Sequence, residues 1–165
     1  MIAIVDYGVG NLFSLSSSLK ALGLETEITR DAEALRAADR IILPGVGAFG
    51  DAKAKLDATG LVPGQVVDLH GDLADKTLKV PHMGWNSLRI VKDDPLFRYF
   101  NDGEYVYYVH SFYAKDCAES TLGTSQYGNV AVTGVVRSGN VYGTQFHPEK
   151  SGDAGLRLLR AFAEL

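Results

Sequence analysis

Apolar residues in the first third of the chain alternate between two spacings, which predicts strands that alternate with helices. Residues 1–6 are rich in Ile and Val, the pattern of a strand buried on both faces. Leucines then recur at helical spacing over 12–22, with Asn11 as predicted N-cap and Gly23 as stop. A strand, a short helix, a third strand and a brief helix are predicted at 24–29, 32–38, 40–43 and 51–58. Such alternation is typical of a parallel sheet with right-handed crossovers.

The pattern changes after residue 60 to a series of short strands. They are predicted at 65–69, 87–91, 104–110, 123–127, 129–137 and 141–146, with a hairpin turn at Ser138-Gly139-Asn140. A last amphipathic helix is predicted at 152–164, with Ser151 as its N-cap. The sequence contains no repeat and no linker. We therefore expect one α/β domain over residues 1–165, with a β-rich second half.

Composition and charge exclude several classes of protein. The chain is 46% apolar and 22% charged, with a net charge of −4, so it lacks the concentrated basic face of a nucleic-acid binder. It shows no basic leader and no apolar run long enough to span a membrane. The single cysteine, Cys117, excludes an internal disulfide and fits a reducing compartment. We expect a soluble cytoplasmic protein without a nucleic-acid or membrane partner.

The segment before the last helix carries a candidate base and its orienting group. His147 and Glu149 flank Pro148, which favours an extended backbone at the residue before it. Residues two apart in an extended segment project to the same side, so the two side chains can meet. A carboxylate bonded to a histidine fixes its tautomer and stabilises the imidazolium. The pair therefore predicts general-base chemistry, although a surface histidine beside a solvated glutamate has the same triplet.

A glycine-rich loop offers a rival interpretation. Gly45-Val46-Gly47-Ala48-Phe49-Gly50 matches the dinucleotide-binding pattern, and Asp68 lies where a ribose-binding acid is expected. The motif follows the third strand instead of the first, and Pro44 stiffens the turn. A nucleotide-binding module using this loop is the alternative function, and a tight turn that needs glycine only for its geometry is the simplest reading.

Four segments occur in the order found in one known family. They are Ile2-Ala3-Ile4-Val5-Asp6-Tyr7-Gly8-Val9-Gly10-Asn11-Leu12, Leu43-Pro44-Gly45-Val46-Gly47-Ala48-Phe49-Gly50-Asp51, Val80-Pro81-His82-Met83-Gly84-Trp85-Asn86 and Gly143-Thr144-Gln145-Phe146-His147-Pro148-Glu149-Lys150-Ser151. Together they closely resemble the glutamine amidotransferase subunits of imidazole glycerol phosphate synthase, which are class I (triad) amidotransferases of histidine biosynthesis. The resemblance covers nearly the whole chain. It implies a class I glutamine amidotransferase-like, flavodoxin-like α/β fold with a mostly parallel sheet.

The resemblance also implies roles for particular residues. In this family a cysteine thiolate attacks the side-chain amide of glutamine, and a partner cyclase, a (β/α)8 barrel, consumes the released ammonia. His147 would be the general base and acid, and Glu149 its orienter. Backbone N–H groups of Gly45, Val46 and Gly47 would donate to the oxyanion.

Further positions are implied for the substrate and the partner. The stretch that includes His110 and Ser111 would help to hold glutamine through its backbone. Positions implied to face the cyclase are Met83, Trp85, Asn86 and Lys150. Without the resemblance, an ordinary packed turn with a buried Trp85 is the alternative interpretation of the segment over 81–86. The resemblance implies no cofactor and no metal.

The chain departs from the family at the nucleophile. The family places its cysteine in a Gly-x-Cys-x-Gly elbow on a sharp strand-to-helix turn. This sequence contains neither that pentapeptide nor a Gly-x-Ser-x-Gly replacement. About 35 residues expected from the resemblance are missing near Gly60: a helix, a central strand, the elbow and the following helix. Cys117 lies in a polar stretch beside two carboxylates, and we expect an incidental surface thiol there instead of a substitute nucleophile.

The omission has consequences for folding and for function. Removing a central strand leaves backbone groups unpaired, at about 1–3 kcal/mol each against a typical total stability of about 5–15 kcal/mol. We expect either that residues 65–69 move into the sheet or that a partner covers the gap. Lower stability or stronger self-association than in a full-length relative should follow. The first functional hypothesis is a subunit that has lost glutamine hydrolysis but still binds the cyclase. A purely structural partner of the cyclase is a further alternative.

Overall fold

The computed structural model describes residues 1–8, 10–45 and 64–165, which fold into a mixed α/β structure. Two 3-10 turns lie at Pro95–Phe97 and Pro148–Lys150. The strands and helices in chain order are β1 (Ile2–Val5), α1 (Leu12–Ala21), β2 (Thr26–Thr29), α2 (Ala32–Ala37), β3 (Arg40–Ile42), β4 (Gln65–Asp68), α3 (Leu69–Asp72), β5 (His82–Ser87), β6 (Arg89–Ile90), β7 (Tyr105–His110), β8 (Phe112–Lys115), β9 (Thr121–Tyr127), β10 (Val130–Ser138), β11 (Val141–Thr144) and α4 (Gly152–Glu164).

Most of the predicted elements are confirmed, and the differences fall in the middle of the chain. The strand predicted at 87–91 is divided between the end of β5 and the two residues of β6. The segment expected to be a loop at 81–86 forms most of β5 instead. The sequence pattern did not predict β8 or α3. The helix predicted at 51–58 lies outside the described residues.

The N-terminal part forms a parallel sheet of three strands in the order β2-β1-β3. Ile4 of β1 lies opposite Ile28 on one side and Ile42 on the other. Helix α1 crosses over between β1 and β2, and its predicted N-cap is confirmed, because the Asn11 side chain accepts a bond from the Ser14 N–H at 3.1 Å. The parallel arrangement predicted from the alternating pattern is therefore present in these three strands.

The C-terminal part is antiparallel throughout the described residues. β11, β10, β9 and β6 form one sheet in that order, and the predicted hairpin joins β10 to β11. β5 pairs with β7 and β4 pairs with β8. The fold class is thus a mixture of parallel and antiparallel sheets, and the parallel portion is smaller than the mostly parallel sheet that the resemblance implies.

Helix α4 joins two hydrophobic cores. Leu158 packs into the larger core, together with buried side chains of β7, β9 and β10. The next residue, Leu159, packs into the smaller core with Leu15 and Leu19 of α1 and the isoleucines of β1. A bond of 2.9 Å from Arg40 Nε to the Phe162 carbonyl fixes the far end of α4 against β3. Because α4 follows the His147–Glu149 segment directly, both cores help to position that segment.

The expectation that residues 65–69 move into the parallel sheet is wrong. β4 pairs antiparallel with β8, where Gln65 lies opposite Lys115, and the Gln65 amide also bonds to Asp116 at 2.7 Å. Val67 packs against the larger core. These contacts hold β4 away from β3, which among the described residues pairs only with β1. Ile41 of β3 is about half exposed.

No helix in the described part of the chain is long and apolar enough to cross a lipid bilayer.

We predict that the chain self-associates through the outer edge of β3. An unpaired strand edge with an exposed isoleucine is a template for pairing with another chain, and a lysine on it blocks such pairing. Ile41→Lys should therefore shift the mass measured by sedimentation velocity towards that of a monomer. Ile28→Lys, at a comparably exposed isoleucine on β2, tests the opposite edge of the same sheet, and an equal or larger shift in that variant would place the association there instead of at β3. An unsubstituted chain that is monomeric at every concentration would contradict the prediction.

Candidate active site and partner-facing surface

His147 and Glu149 form a hydrogen-bonded pair between β11 and α4. The distance from His147 Nδ1 to Glu149 Oε1 is 3.0 Å, and the glutamate side chain is only 9% exposed. The extended backbone predicted at His147 is confirmed, with φ −94° and ψ 101°, but the segment is not a strand, because Pro148–Lys150 forms a 3-10 turn. The turn brings the two side chains together where a strand was expected to do so. With Nδ1–H donated to the carboxylate, Nε2 keeps its lone pair and can accept a proton.

Three hydrogen bonds connect the backbone of His147 to β7. The His147 N–H donates to the Tyr107 carbonyl at 3.0 Å, and the Tyr107 N–H donates to Ser151 Oγ at 3.0 Å. The Ser151 hydroxyl donates to the His147 carbonyl at 2.6 Å. Ser151 occupies the predicted N-cap position of α4, but its side chain makes no cap bond. A serine at this position predicts a capping bond, so the sequence did not indicate that the Ser151 hydroxyl bonds to Tyr107 and His147 instead.

The predicted oxyanion loop is described only at its first glycine. Gly45 lies outside regular structure, and Val46 and Gly47 lie outside the described residues. The carbonyl of Pro44 accepts a hydrogen bond from the Tyr7 hydroxyl. Gly10 has a φ of 99°, and a Cβ there would lie 2.9 Å from Pro44 Cβ. Glycine at position 10 therefore allows the loop after β1 to pack against the Pro44 loop.

His110, predicted to lie in the glutamine-holding stretch, has its side chain in the interior. Its Nε2 lies 2.9 Å from His82 Nδ1, and its Nδ1 lies 2.9 Å from the Phe112 carbonyl. Because the carbonyl can only accept, His110 donates from Nδ1 and accepts from His82 at Nε2. The neighbouring Ser111 carbonyl accepts the Leu69 N–H at 2.9 Å. The imidazole thus holds the corner between β7 and β8, and a role for the backbone of this stretch in binding glutamine stays a prediction.

Cys117 is buried, and the expectation of a surface thiol is wrong. It is 5% exposed, and Sγ lies 3.6 Å from Thr121 Oγ1 and 3.7 Å from Thr133 Oγ1. The fold of β9 and β10 over the loop after β8 encloses a residue whose neighbours in the sequence are polar. Within the described residues, His147 makes no hydrogen bond to sulfur.

One face of the β5–β7 pair carries exposed apolar side chains. Met83 and Trp85 project from β5, and Tyr105 from β7, and each is more than half exposed. The interpretation of a buried Trp85 in a packed turn is therefore wrong. Tyr105 was not among the residues predicted to face the partner, although it begins β7, in which buried residues alternate with more exposed ones. The Trp85 ring packs edge-on against Tyr107, with 5.8 Å between ring centroids.

The other two residues predicted to face the partner lie in different surroundings. Lys150 is exposed in the 3-10 turn. The Trp85 ring reaches the neighbouring start of α4, where its Cη2 lies 3.8 Å from the position of a Cβ at Gly152. Asn86 belongs to the opposite face of β5, since it alternates with Trp85, and its amide donates to the Gln126 carbonyl at 2.8 Å. The structure thus groups Met83 and Trp85 with Tyr105 and separates Asn86 from them.

Asp68, the acid required by the nucleotide-binding alternative, serves a local purpose. It is the N-cap of α3, and its carboxylate accepts the His70 N–H at 3.2 Å. Across residues 1–8, 10–45 and 64–165, no three His, Cys, Asp or Glu side chains converge in a way that could hold a metal ion.

Comparison with known proteins decides the family. The profile described as "Glutamine amidotransferase class-I" matches residues 62–164. The chain is 42% identical to "Imidazole glycerol phosphate synthase subunit HisH" of Methanosarcina mazei, over 99% of this chain and 98% of that protein. It is 39% identical to the subunit of the same name from Listeria monocytogenes, over 100% and 96%. The chain belongs to the class I glutamine amidotransferase family.

This member of the family is shorter than the two relatives to which it is aligned. The alignment with the M. mazei subunit spans 198 positions against 165 residues in this chain, a difference of 33. At least that many aligned positions therefore lie opposite no residue of this chain.

Solved structures support the same fold for this amidotransferase. A Thermoplasma acidophilum protein described as a GMP synthase component has a TM-score of 0.75 at 19% identity, covering 99% of this chain and 92% of its own. The structure of PurLQS from Thermotoga maritima also has a TM-score of 0.75, at 20% identity, covering 99% and 97%. The predicted fold class is confirmed.

The buried histidine pair predicts that stability decreases in mild acid. Burial, and next the neighbouring His110, lower the pKa of His82 from 6.5 to about 4. Burial also lowers the pKa of His110, against the opposing effect of its bond to Phe112. Between the lowered pKa of His82, about 4, and its ordinary value of 6.5, the unfolded state therefore binds more protons than the folded state. Stability is therefore complete above about pH 6.5 and is lost as the pH falls towards about 4, by up to about 3 kcal/mol from His82.

Denaturant unfolding followed by the fluorescence of Trp85, the only tryptophan, measures this dependence. His82→Asn keeps an N–H donor near the position of Nδ1 but does not titrate, so it should flatten the dependence on pH. His70→Asn removes an exposed histidine and is the matched control. An equal pH dependence in His82→Asn and the unsubstituted chain would show that the pair is not responsible.

Proposed function

We propose that this chain is a subunit of imidazole glycerol phosphate synthase that binds the cyclase without hydrolysing glutamine. One observation carries the proposal: His147 and Glu149 are paired as a base and its orienter, while in the described part of the chain no cysteine sulfur bonds to the imidazole. The only thiol of the sequence belongs to Cys117, whose sulfur lies between two threonine hydroxyls. The family membership and the similarity to HisH proteins supply the biological setting.

The chemistry of the family explains why the missing thiol matters. A thiolate adds to the amide carbonyl of glutamine, ammonia leaves, and water then hydrolyses the thioester. His147 can accept a proton, but without a sulfur atom next to it no covalent bond to the substrate forms. Loss of the nucleophile from a triad lowers turnover by a factor on the order of 10⁶. Pairing of His147 with Glu149 is therefore insufficient for glutaminase activity.

The length of the chain supports the same conclusion. The sequence has no Gly-x-Cys-x-Gly segment, and at least 33 aligned positions of the M. mazei subunit have no counterpart in it. That number of positions is large enough to include an elbow with its flanking strand and helix. We infer that the loss of hydrolysis follows from the absence of these positions.

The apolar face of the β5–β7 pair supports binding to the cyclase. Met83, Trp85 and Tyr105 expose aromatic and thioether surface of the kind enriched at protein interfaces. Lys150 adds a positive charge near the edge of this face. In the proposal a (β/α)8-barrel cyclase covers it in a cytoplasmic heterodimer and receives ammonia from solution. A purely structural subunit would share this surface and would differ only in leaving the activity of the cyclase with ammonia unchanged.

We predict that glutamate release from glutamine is at background with and without the cyclase. Because no thiol is positioned beside His147, substitution of the base should change nothing, so His147→Asn and the unsubstituted chain should give equal rates. Glutamate measured by a coupled dehydrogenase assay provides the comparison. Turnover that disappears in Cys117→Ser would overturn the proposal. Cyclase activity with ammonium salts, measured with and without this chain, separates the proposed subunit from a purely structural one.

We predict that Trp85→Ala weakens binding to the cyclase at least about tenfold, because buried tryptophans dominate the energetics of interfaces. Titration calorimetry with the purified cyclase measures the change. Val91→Ala is the control, since Val91 is also about half exposed but lies outside the β5–β7 pair. Equal affinities for the two variants, or a larger loss for Val91→Ala, would place the interface elsewhere.

A further inference from the structure

We propose that Ser151 is a positioning residue for His147, and that its hydroxyl keeps the imidazole in reach of Glu149. The inference rests on the proposed assignment of His147 and Glu149 as base and orienter. Its basis is the closed set of three hydrogen bonds among His147, Tyr107 and Ser151. No part of it depends on the missing nucleophile.

The hydroxyl of Ser151 is used in an unusual way for its place in the sequence. A serine at the N-cap normally accepts an N–H bond from the first turn of its helix, worth about 0.5–2 kcal/mol. Here the side chain makes no such bond, although Ser151 is the N-cap of α4 and is 1% exposed. The oxygen instead accepts from the Tyr107 N–H and donates to the His147 carbonyl. The capping bond is forgone, and the hydroxyl stabilises the His147 segment.

Ser151 Oγ takes the place of a backbone carbonyl that a neighbouring strand would offer to the Tyr107 N–H. The N–H and C=O of Tyr107 both point away from β5, towards the segment that follows β11. In a sheet, a neighbouring strand would satisfy both groups. The His147 N–H satisfies the carbonyl, but the turn at Pro148 carries the backbone away before a carbonyl can meet the Tyr107 N–H. Ser151 Oγ takes that acceptor position, and its own proton returns to His147.

Fixing both peptide groups of His147 restricts where its side chain can project. The N–H is held by Tyr107 and the carbonyl by Ser151, while the Lys150 N–H donates to the same carbonyl at 3.0 Å. The Cα–Cβ direction then follows from the backbone, and Nδ1 lies at 3.0 Å from the buried Glu149 carboxylate. Without the hydroxyl, the Tyr107 N–H loses its acceptor and the His147 carbonyl loses its shorter bond.

Proton NMR of the His147 Nδ1–H tests the proposal without any need for catalysis. The signal is assigned by its disappearance in His147→Gln. Ser151→Ala should make exchange of this proton with water at least about tenfold faster, the change expected when one hydrogen bond that fixes the backbone of His147 is lost. Ser151→Thr keeps the hydroxyl and should exchange close to the unsubstituted rate.

Ser125→Ala is the matched control. Ser125 is equally buried, and its hydroxyl likewise joins a backbone carbonyl, that of Ser87, to a second group, the Tyr108 hydroxyl, at 2.8 Å each. It should lower the free energy of unfolding as Ser151→Ala does but leave the His147 proton unchanged. Equal exchange in Ser151→Ala and the unsubstituted chain would overturn the proposal. So would equal acceleration by Ser125→Ala or by Ser151→Thr. None of these outcomes depends on cyclase binding or glutamate release, which test the proposed function separately.

Discussion

Strand β7 forms hydrogen bonds on both of its sides, and the candidate functional groups depend on this. Towards one side it pairs with β5 over six residue pairs, from His82 opposite His110 to Ser87 opposite Tyr105. Towards the other side, the N–H and C=O of Tyr107 bind Ser151 and His147. One strand therefore connects the exposed face of β5 to the segment that carries the proposed base, His147. A change in the register of β7 would displace the exposed face of β5 and the His147 segment together, since a shift of one residue moves every side chain of a strand to the other face of the sheet.

The base segment is also held from the C-terminal side by α4. Arg157 binds the Tyr99 carbonyl at 2.8 Å and forms an ion pair with Glu104, just before β7 begins. Leu158 and Leu159 place the same helix in both hydrophobic cores. The turn that contains the base is thus clamped between a strand and a helix that are themselves fixed by burial. Rigid elements on both sides are what a preorganised catalytic side chain requires.

The sequence predicted those parts of the structure that depend on local pattern. Helix α4 and the β10–β11 hairpin have clear periodicity and turn residues, so their bounds came out nearly as expected. His82 begins a strand that its pattern did not predict, because the buried face of β5 is formed by histidine, glycine and asparagine. Cys117 is buried by the fold of β9 and β10, the two strands that follow it, and its polar neighbours in the sequence gave no indication of this. The side on which Asn86 projects depends on the register of β5, and Ser151 has the pattern of a cap, so its actual partners could not be read from neighbouring residues.

The fold gives the His147–Glu149 segment a structural role besides its proposed role in catalysis. The turn at Pro148 covers the side of β7 that β5 leaves open, and removing it would leave the Tyr107 N–H and C=O unpaired. Each such group costs about 1–3 kcal/mol when buried. The glutamate of the pair is nearly buried, and its charge is balanced by a hydrogen bond from His147, so replacing the histidine would leave a carboxylate without its partner. The His147–Glu149 segment therefore contributes to stability independently of catalysis, and its presence is compatible with the proposed subunit that does not hydrolyse glutamine.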